Sequence, residues 1–205
     1  SPVTGSVGSP VTVTAVVTSS NGRTVTQGKV SFTFDGKVIG TATVSNGIAS
    51  ISVVFNNSIT DGLTTADYVD DNVGDAKIFD ISSSSTDIDE SGRTNIVPGQ
   101  ASIDATPIPA SGIPGVISVV DITVTDANTG LPINGIVSID GTNVTIVDGK
   151  GSYNYPITVD TSRDGTVLTA VFSSPDYESV SDDVTITREI IPTNTNATVI
   201  NNTAG

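Results

Sequence analysis

The feature that most constrains this chain is a two-residue alternation, cut at short intervals by Asn-Gly and Asp-Gly. "PVTVTAVVTS" alternates from Val11 to Val17 and stops before a turn at Asn21-Gly22. "GKVSFTFDG" sets Val30, Phe32 and Phe34 on one side and ends at Asp35-Gly36. "KVIGTATVSNG" and "IASISVVF" (48–55) follow, separated by Asn46-Gly47. A period of two places every second side chain on one face of a strand. Asn-Gly and Asp-Gly accept the positive φ angles of a type I′ hairpin. No stretch holds a helical period long enough to compete. "LTTADYV" (63–69) and "AKIFDIS" (76–82) are weaker strand candidates. The chain is therefore expected to be all-β.

The pattern then recurs, and the recurrence sets the domain organisation. "VTSSNG" (17–22) parallels "VTDANTG" (124–130), and "QGKVSFTFDG" (27–36) parallels "NGIVSIDG" (134–141). "ATVSNGIASISVVF" (42–55) parallels "VTIVDGKGSYNYPITV" (144–159), after which "GTVLTAVFSS" (165–174) and "SDDVTITREI" (181–190) continue the second copy. A chain of 205 residues suits two such units, at about 100 residues per domain. Six or seven short strands per copy, cornered by Pro and Gly, are the signature of an immunoglobulin-like Greek-key sandwich. The expected layout is a first sandwich over 1–86, an acidic linker over 87–99, a second sandwich over 100–191 and a tail over 192–205.

At this point the residues carry a resemblance. "GSPVTVTAVVTSSNGRTVTQGKVSFTFDGKVIGTATVSNGIASISVVF" (8–55) resembles the bacterial and archaeal Ig-like repeat domains (Big-type) of large cell-surface adhesins. The match lies in the Gly-Ser-Pro-Val-Thr-Val-Thr start, the Gly-x-Val-x-Phe strand and the Asn-Gly-x-Ala hairpin. It covers the second copy loosely and fades over 56–100, where "TTADYVDD" (64–71) only partly echoes the family's Ala-x-Tyr strand. The resemblance implies an extracellular structural or adhesive protein and not an enzyme.

Composition narrows the chemistry. The chain has no Cys or His, which excludes disulfides, zinc or haem sites built on those residues, and Ser-His-Asp or Cys-His machinery. With 22 acidic against 8 basic residues the net charge is −14, which disfavours nucleic acid and anionic lipid as partners and favours hard cations. No apolar run is long enough to insert into a membrane as a helix, and the start "SPVTGSVGSP" reads as a mature terminus without a signal peptide. Carboxylate pairs such as Asp70-Asp71 and Asp182-Asp183 lack the aromatic platform a glycosidase would need, as Trp is absent.

One asymmetry between the copies points to function. The second copy opens with "QASIDATPIPASG", an extended run broken by prolines, before its "GVISVVDITV" strand. The first copy starts at the break itself, "SPVTGSVG", and so lacks a leading strand. The chain ends in "TNTNATVINNTAG", a lone strand at Ala197, Thr198, Val199 and Ile200. Placing that tail before the N-terminus recreates the order of strand, break and strand. Four readings follow. The tail completes the first sandwich of the next copy, giving a head-to-tail polymer of this chain. Alternatively the chain is a slice of a longer tandem-repeat adhesin, or a module binding a host or cell-surface glycan or another partner. Or the tail is disordered and the first sandwich does without the strand.

Further candidates concern ions and modification. "DIDESGRTN" sets Asp87, Asp89, Ser91 and Asn95, with the Arg93 carbonyl, at spacings that can wrap a calcium ion, although the Glu that closes an EF-hand is replaced by Pro98. An acidic solvated linker is the plainer reading. N-x-Ser/Thr sequons mark Asn56, Asn143, Asn196 and Asn201 as glycan acceptors on an extracellular chain. In an unbroken strand Asn196 and Asn201 point to opposite faces. Lys29 and Lys77 are the residues to check for an isopeptide cross-link, against the commoner role of an edge-guarding lysine.

Overall fold

A computed structural model describes residues 2–72, 78–83, 93–160, 165 and 167–193. Among them the structure is all-β: two immunoglobulin-like Greek-key sandwiches in tandem. The first comprises β1 (Val3–Ser6), β2 (Pro10–Val16), β3 (Lys29–Phe34), β4 (Lys37–Thr43), β5 (Ile48–Val54), β6 (Ile59–Val69), β7 (Ser82–Ser83) and β8 (Arg93–Val97). One sheet runs β1-β8-β6-β3-β4 with β7 also on β6, and it faces a sheet of β2 and β5. The second comprises β9 (Ala101–Ile108), β10 (Ser111–Gly112), β11 (Ile117–Asp126), β12 (Gly135–Ile139), β13 (Thr142–Ile146), β14 (Lys150–Pro156), β15 (Val167–Ser174), β16 (Tyr177–Thr185) and β17 (Thr187–Arg188). Here β13-β12-β15-β16 faces β14-β11-β9, and β10 pairs with β17.

The hairpins form where the turn chemistry places them. Asp35-Gly36, Asn46-Gly47, Asp140-Gly141 and Asp148-Gly149 all adopt positive φ at both residues, as type I′ turns require. The alternation sorts the side chains. Val11, Val13, Val30, Phe32, Tyr68 and Ile96 fill the first core. Val120, Ile122, Val124, Val137 and Phe172 fill the second.

Three sequence expectations change at this level. Residues 3–6, read as a break, form β1, which runs parallel to β8; β10, inside the corresponding break, does the same with β17. Residues 78–81, in a stretch read as a strand, are irregular, and pairing begins at Ser82. Residues 93–97, expected in the linker, are β8 and belong to the first sandwich. β7 and β8 flank β6 on one edge: Asp67 pairs with Ser83 and Leu63 with Arg93. Between these pairs β6 advances four residues (63 to 67) while its partner advances ten (83 to 93), so six residues exceed the ladder's need. Of the acidic motif, Arg93 and Asn95 are thus residues of the first sandwich, and Asp87, Asp89 and Ser91 lie outside the described residues.

The two sandwiches meet at a polar junction. Gly99 N donates to Asp176 O at 3.0 Å, and Glu178 N donates to Gly99 O at 2.9 Å. Asp176 Oδ1 accepts from Ser58 N at 2.9 Å and from Ser58 Oγ at 3.2 Å. Tyr177 packs against both cores, and its hydroxyl donates to Asp126 Oδ2 at 3.1 Å. Gly8, at φ 77°, lies so close to Asp126 that a Cβ there would collide with the carboxylate.

Candidate functional site

The functional candidate is the edge of β2 that no described strand covers. Val17 N donates to Gly47 O at 2.8 Å, and Val124 N donates to Gly149 O at 2.8 Å. These matching bonds make Val17 the counterpart of Val124, and counting back makes Ala15, Val13 and Gly8 the counterparts of Ile122, Val120 and Gly115. Gly8 and Gly115 both have positive φ, at 77° and 97°, which supports the alignment. In the second sandwich β11 lies between β14 and β9, and β9 pairs with it from Val119↔Ile108 to Asp126↔Ala101. In the first sandwich, among the described residues, β2 pairs with β5 alone. Because odd-numbered residues of β2 bond toward β5, Thr14 and Val16 aim their N–H and C=O groups at the uncovered side.

The side chains record the same gap. Ile122 and Val124 are buried, at 1% and 0% exposure. Their counterparts Ala15 and Val17 are only half-buried. An open groove of about 430 Å³ runs along β2 from Val13 to Thr18, floored by Phe32, Ala66 and Tyr68 and bounded opposite by Ser82 and Ser83 of β7. In the second sandwich that space holds β9, which packs against β16 and is tied to it by Ala105 N donating to Asp182 Oδ2 at 2.9 Å. The groove is therefore apolar along its floor, edged by backbone groups that no described strand pairs, and shaped for an extended strand.

A buried carboxylate follows β6 directly. Asp70, 5% exposed, accepts from Ile78 N at 2.9 Å, Phe79 N at 3.2 Å, Gln27 Nε2 at 2.6 Å and Asn72 Nδ2 at 2.9 Å. Burial opposes its charge, but these donors outweigh burial and hold the carboxyl well below the usual range. At the junction burial likewise works against Asp126, and the amides of Thr129 and Asn128 with the Tyr177 hydroxyl still lower it. Burial, with Asp126 as hydrogen-bond partner, pushes Tyr177 up to about 12. In both aspartates the folded state binds its proton more weakly than the unfolded chain does. Their contribution is complete above the ordinary aspartate range and is lost as pH falls through it. Urea midpoints are accordingly expected to be flat between about pH 5 and pH 9 and to drop steadily from about pH 4 downward; a midpoint unchanged at about pH 3 would contradict these networks.

The other sequence-level candidates lie apart. Arg93 and Asn95 are residues of β8 and hold a bulge in β6: Arg93 Nη1 lies 2.6 Å from Asp61 Oδ1, and Asp61 N donates to Asn95 Oδ1 at 3.0 Å. Asp61 has φ 62° at the register shift. Asp87, Asp89 and Ser91 fall outside the described residues, and no cluster of three or more metal-ligating acids gathers among those described. Asn56 is exposed in the turn after β5, and Asn143 is exposed on the edge strand β13. Asn196, Asn201 and the tail residues Ala197, Thr198, Val199 and Ile200 lie outside the described residues, as does Lys77. Lys29 is exposed and pairs with Asp71 at 2.8 Å.

Sequence reasoning located the vacancy but not its walls. Tyr68, Ala66 and Ser82 belong to the two stretches read only as weaker strand candidates, and Tyr177 and Asp126 reveal their role only once the sandwiches abut. One signal was available: Ala15 stands where the second copy has Ile122.

No family profile matches the sequence, and no curated protein does. Solved structures do. Fibronectin(III)-like modules of CbhA from Clostridium thermocellum align at 14% identity over 95% of this chain and 94% of theirs, with a TM-score of 0.32. The Yersinia pseudotuberculosis adhesin InvE aligns at 12% identity, TM-score 0.41, over 90% of this chain and 56% of its own. A Ca2+-stabilized adhesin by which an Antarctic bacterium binds ice aligns at 18% identity, TM-score 0.32, over 92% of this chain and 49% of its own. This chain spans about half the length of those two adhesin structures. The likeness is one of β-sandwich modules, at scores too low to speak for a site.

Proposed function

We propose that this chain is a structural subunit of an extracellular filament or surface array, assembled head to tail by insertion of its C-terminal segment into the first sandwich of the next copy. The single observation that carries the reading is the groove beside β2, at the position that β9 fills in the second sandwich. Strand addition uses main-chain hydrogen bonds for affinity and alternate side chains for fit. Receptor groove and donor lie on different parts of one chain, so the contact is heterologous and propagates without closing. An uncovered edge with an apolar floor is also a hazard for unspecific pairing, which a dedicated donor removes. The Thr- and Ser-rich outer faces, the acidic charge and the sequons at Asn56, Asn143, Asn196 and Asn201 suit an extracellular surface.

A second reading has its own support. The counterpart of β9 falls immediately before Ser1, so in a longer tandem array a preceding segment would cover the edge in cis. The two readings separate cleanly. Under the first, negative-stain images of the purified chain show filaments repeating at two sandwich lengths, and removal of residues 193–205 leaves monomers. Persistent assembly of the shortened chain would sink strand donation.

A further inference from the structure

The groove also selects the register of its donor, an inference that rests on the strand-donation reading. In the second sandwich the inward pairs include Val124 opposite Ile103 and Ile122 opposite Ala105, followed by Val120 opposite Pro107. Large faces small at the second pair. The first sandwich has Val17 at the first position and Ala15 at the second. With Ala15 in place of isoleucine, the strand opposite must supply the missing volume, because a sandwich interior tolerates neither void nor overpacking. The half-burial of Ala15 and Val17 and the space above Phe32 and Tyr68 mark where that volume is absent.

An antiparallel donor running as β9 does offers few solutions within "NATVINN" (196–202). Setting Thr198 opposite Ala15 drives Asn196 onto Val17. Setting Ile200 opposite Val17 drives Asn202 onto Ala15. Each turns an amide toward the apolar floor of Phe32 and Tyr68, where an unmet hydrogen bond is costly. Two registers remain. With Val199 opposite Ala15, Ala197 faces Val17 and the groove stays underfilled; Asn201 then faces Val13, as Asn202 does in the other register, so the filled volume alone separates the two. With Ile200 opposite Ala15, Thr198 faces Val17 as a near-isostere of valine, and the pair Ala15–Ile200 restores the volume of Ile122–Ala105 with the two sizes exchanged. Asn201 then faces outward, where its sequon is accessible.

We propose that Ile200 of one copy seats opposite Ala15 of the next, with Thr198 opposite Val17, so that the volume at Ala15 selects both the register and the identity of the donor.

The chain has no cysteine of its own, which allows a direct test. Full chains carrying A15C are mixed with full chains carrying I200C or V199C under mild oxidation. Inward positions of this ladder are non-hydrogen-bonded pairs, whose Cα atoms approach closely enough for a disulfide. Linked dimer is expected with I200C, in roughly tenfold excess over V199C. A second measurement covers variants that insert poorly: in a 193–205 peptide binding to the chain lacking those residues, Ile200→Ala should weaken affinity roughly 30-fold and Val199→Ala less than about threefold. A reversed preference in either assay overturns the register while leaving strand donation standing. If the unaltered peptide fails to bind at about 1 mM, strand donation itself fails.

Discussion

A chain shortened by residues 193–205 is expected to unfold in two steps, the first sandwich well before the second, and the 193–205 peptide added in trans is expected to restore the first step alone. The second sandwich contains β9 and closes its own edge, so its stability does not depend on a donor. The first leaves Ala15 and Val17 half-buried beside the groove. A ligand that binds only the folded state stabilises it by mass action, by about 2.7 kcal/mol at a hundredfold excess over its Kd. For a domain of about 100 residues this corresponds to a rise in Tm of roughly 10 °C or more. Differential scanning calorimetry with and without peptide reads both transitions at once. A peptide that shifted the second transition, or neither, would mean that the groove beside β2 is not its site.

The second large effect is expected at Tyr177. Its ring packs against both hydrophobic cores, and its hydroxyl serves the buried carboxylate of Asp126. Tyr177→Ala removes a shared aromatic and leaves Asp126, 2% exposed, without one of its donors. A loss of about 3 kcal/mol is expected from the vacated volume and the unmet hydrogen bond. Tyr177→Phe isolates the hydroxyl and should cost about 1–2 kcal/mol. The physical consequence reaches beyond stability, because Tyr177 and the Gly99–Asp176 backbone pair join the sandwiches. In a filament the load entering at the groove of the first sandwich leaves through the tail of the second and must cross this junction. Small-angle scattering of Tyr177→Ala is expected to show a more flexible particle; an unchanged profile with intact stability would remove Tyr177 from that role.

Much of the fold was legible because its determinants are local. Val11, Val13, Phe32 and Ile122 reach the cores because alternation is a property of neighbouring residues. The tight turns at Asn46-Gly47 and Asp148-Gly149 follow from which residues tolerate positive φ. The strands that escaped notice are short and owe their place to distant partners. β1 exists because β8 offers it a parallel edge, and β7 because β6 continues past it. Arg93 and Asn95 were read into the linker for the same reason. Nothing in "DIDESGRTN" announces that Arg93 resumes a ladder opposite Leu63, or that Asn95 steadies the bulge at Asp61.

By itself the sequence determined that this is a chain of two β-sandwich copies, one with a leading strand and one without, since repetition and alternation are written in the order of residues. Only the tertiary structure decided what the lack amounts to: an edge of β2 that no described strand pairs, a floor of Phe32, Ala66 and Tyr68 drawn from separate strands, and a space sized by Ala15. A cavity is the difference between what surrounding elements enclose and what their side chains fill. That difference depends on how far-apart segments pack, and no single stretch of sequence carries it.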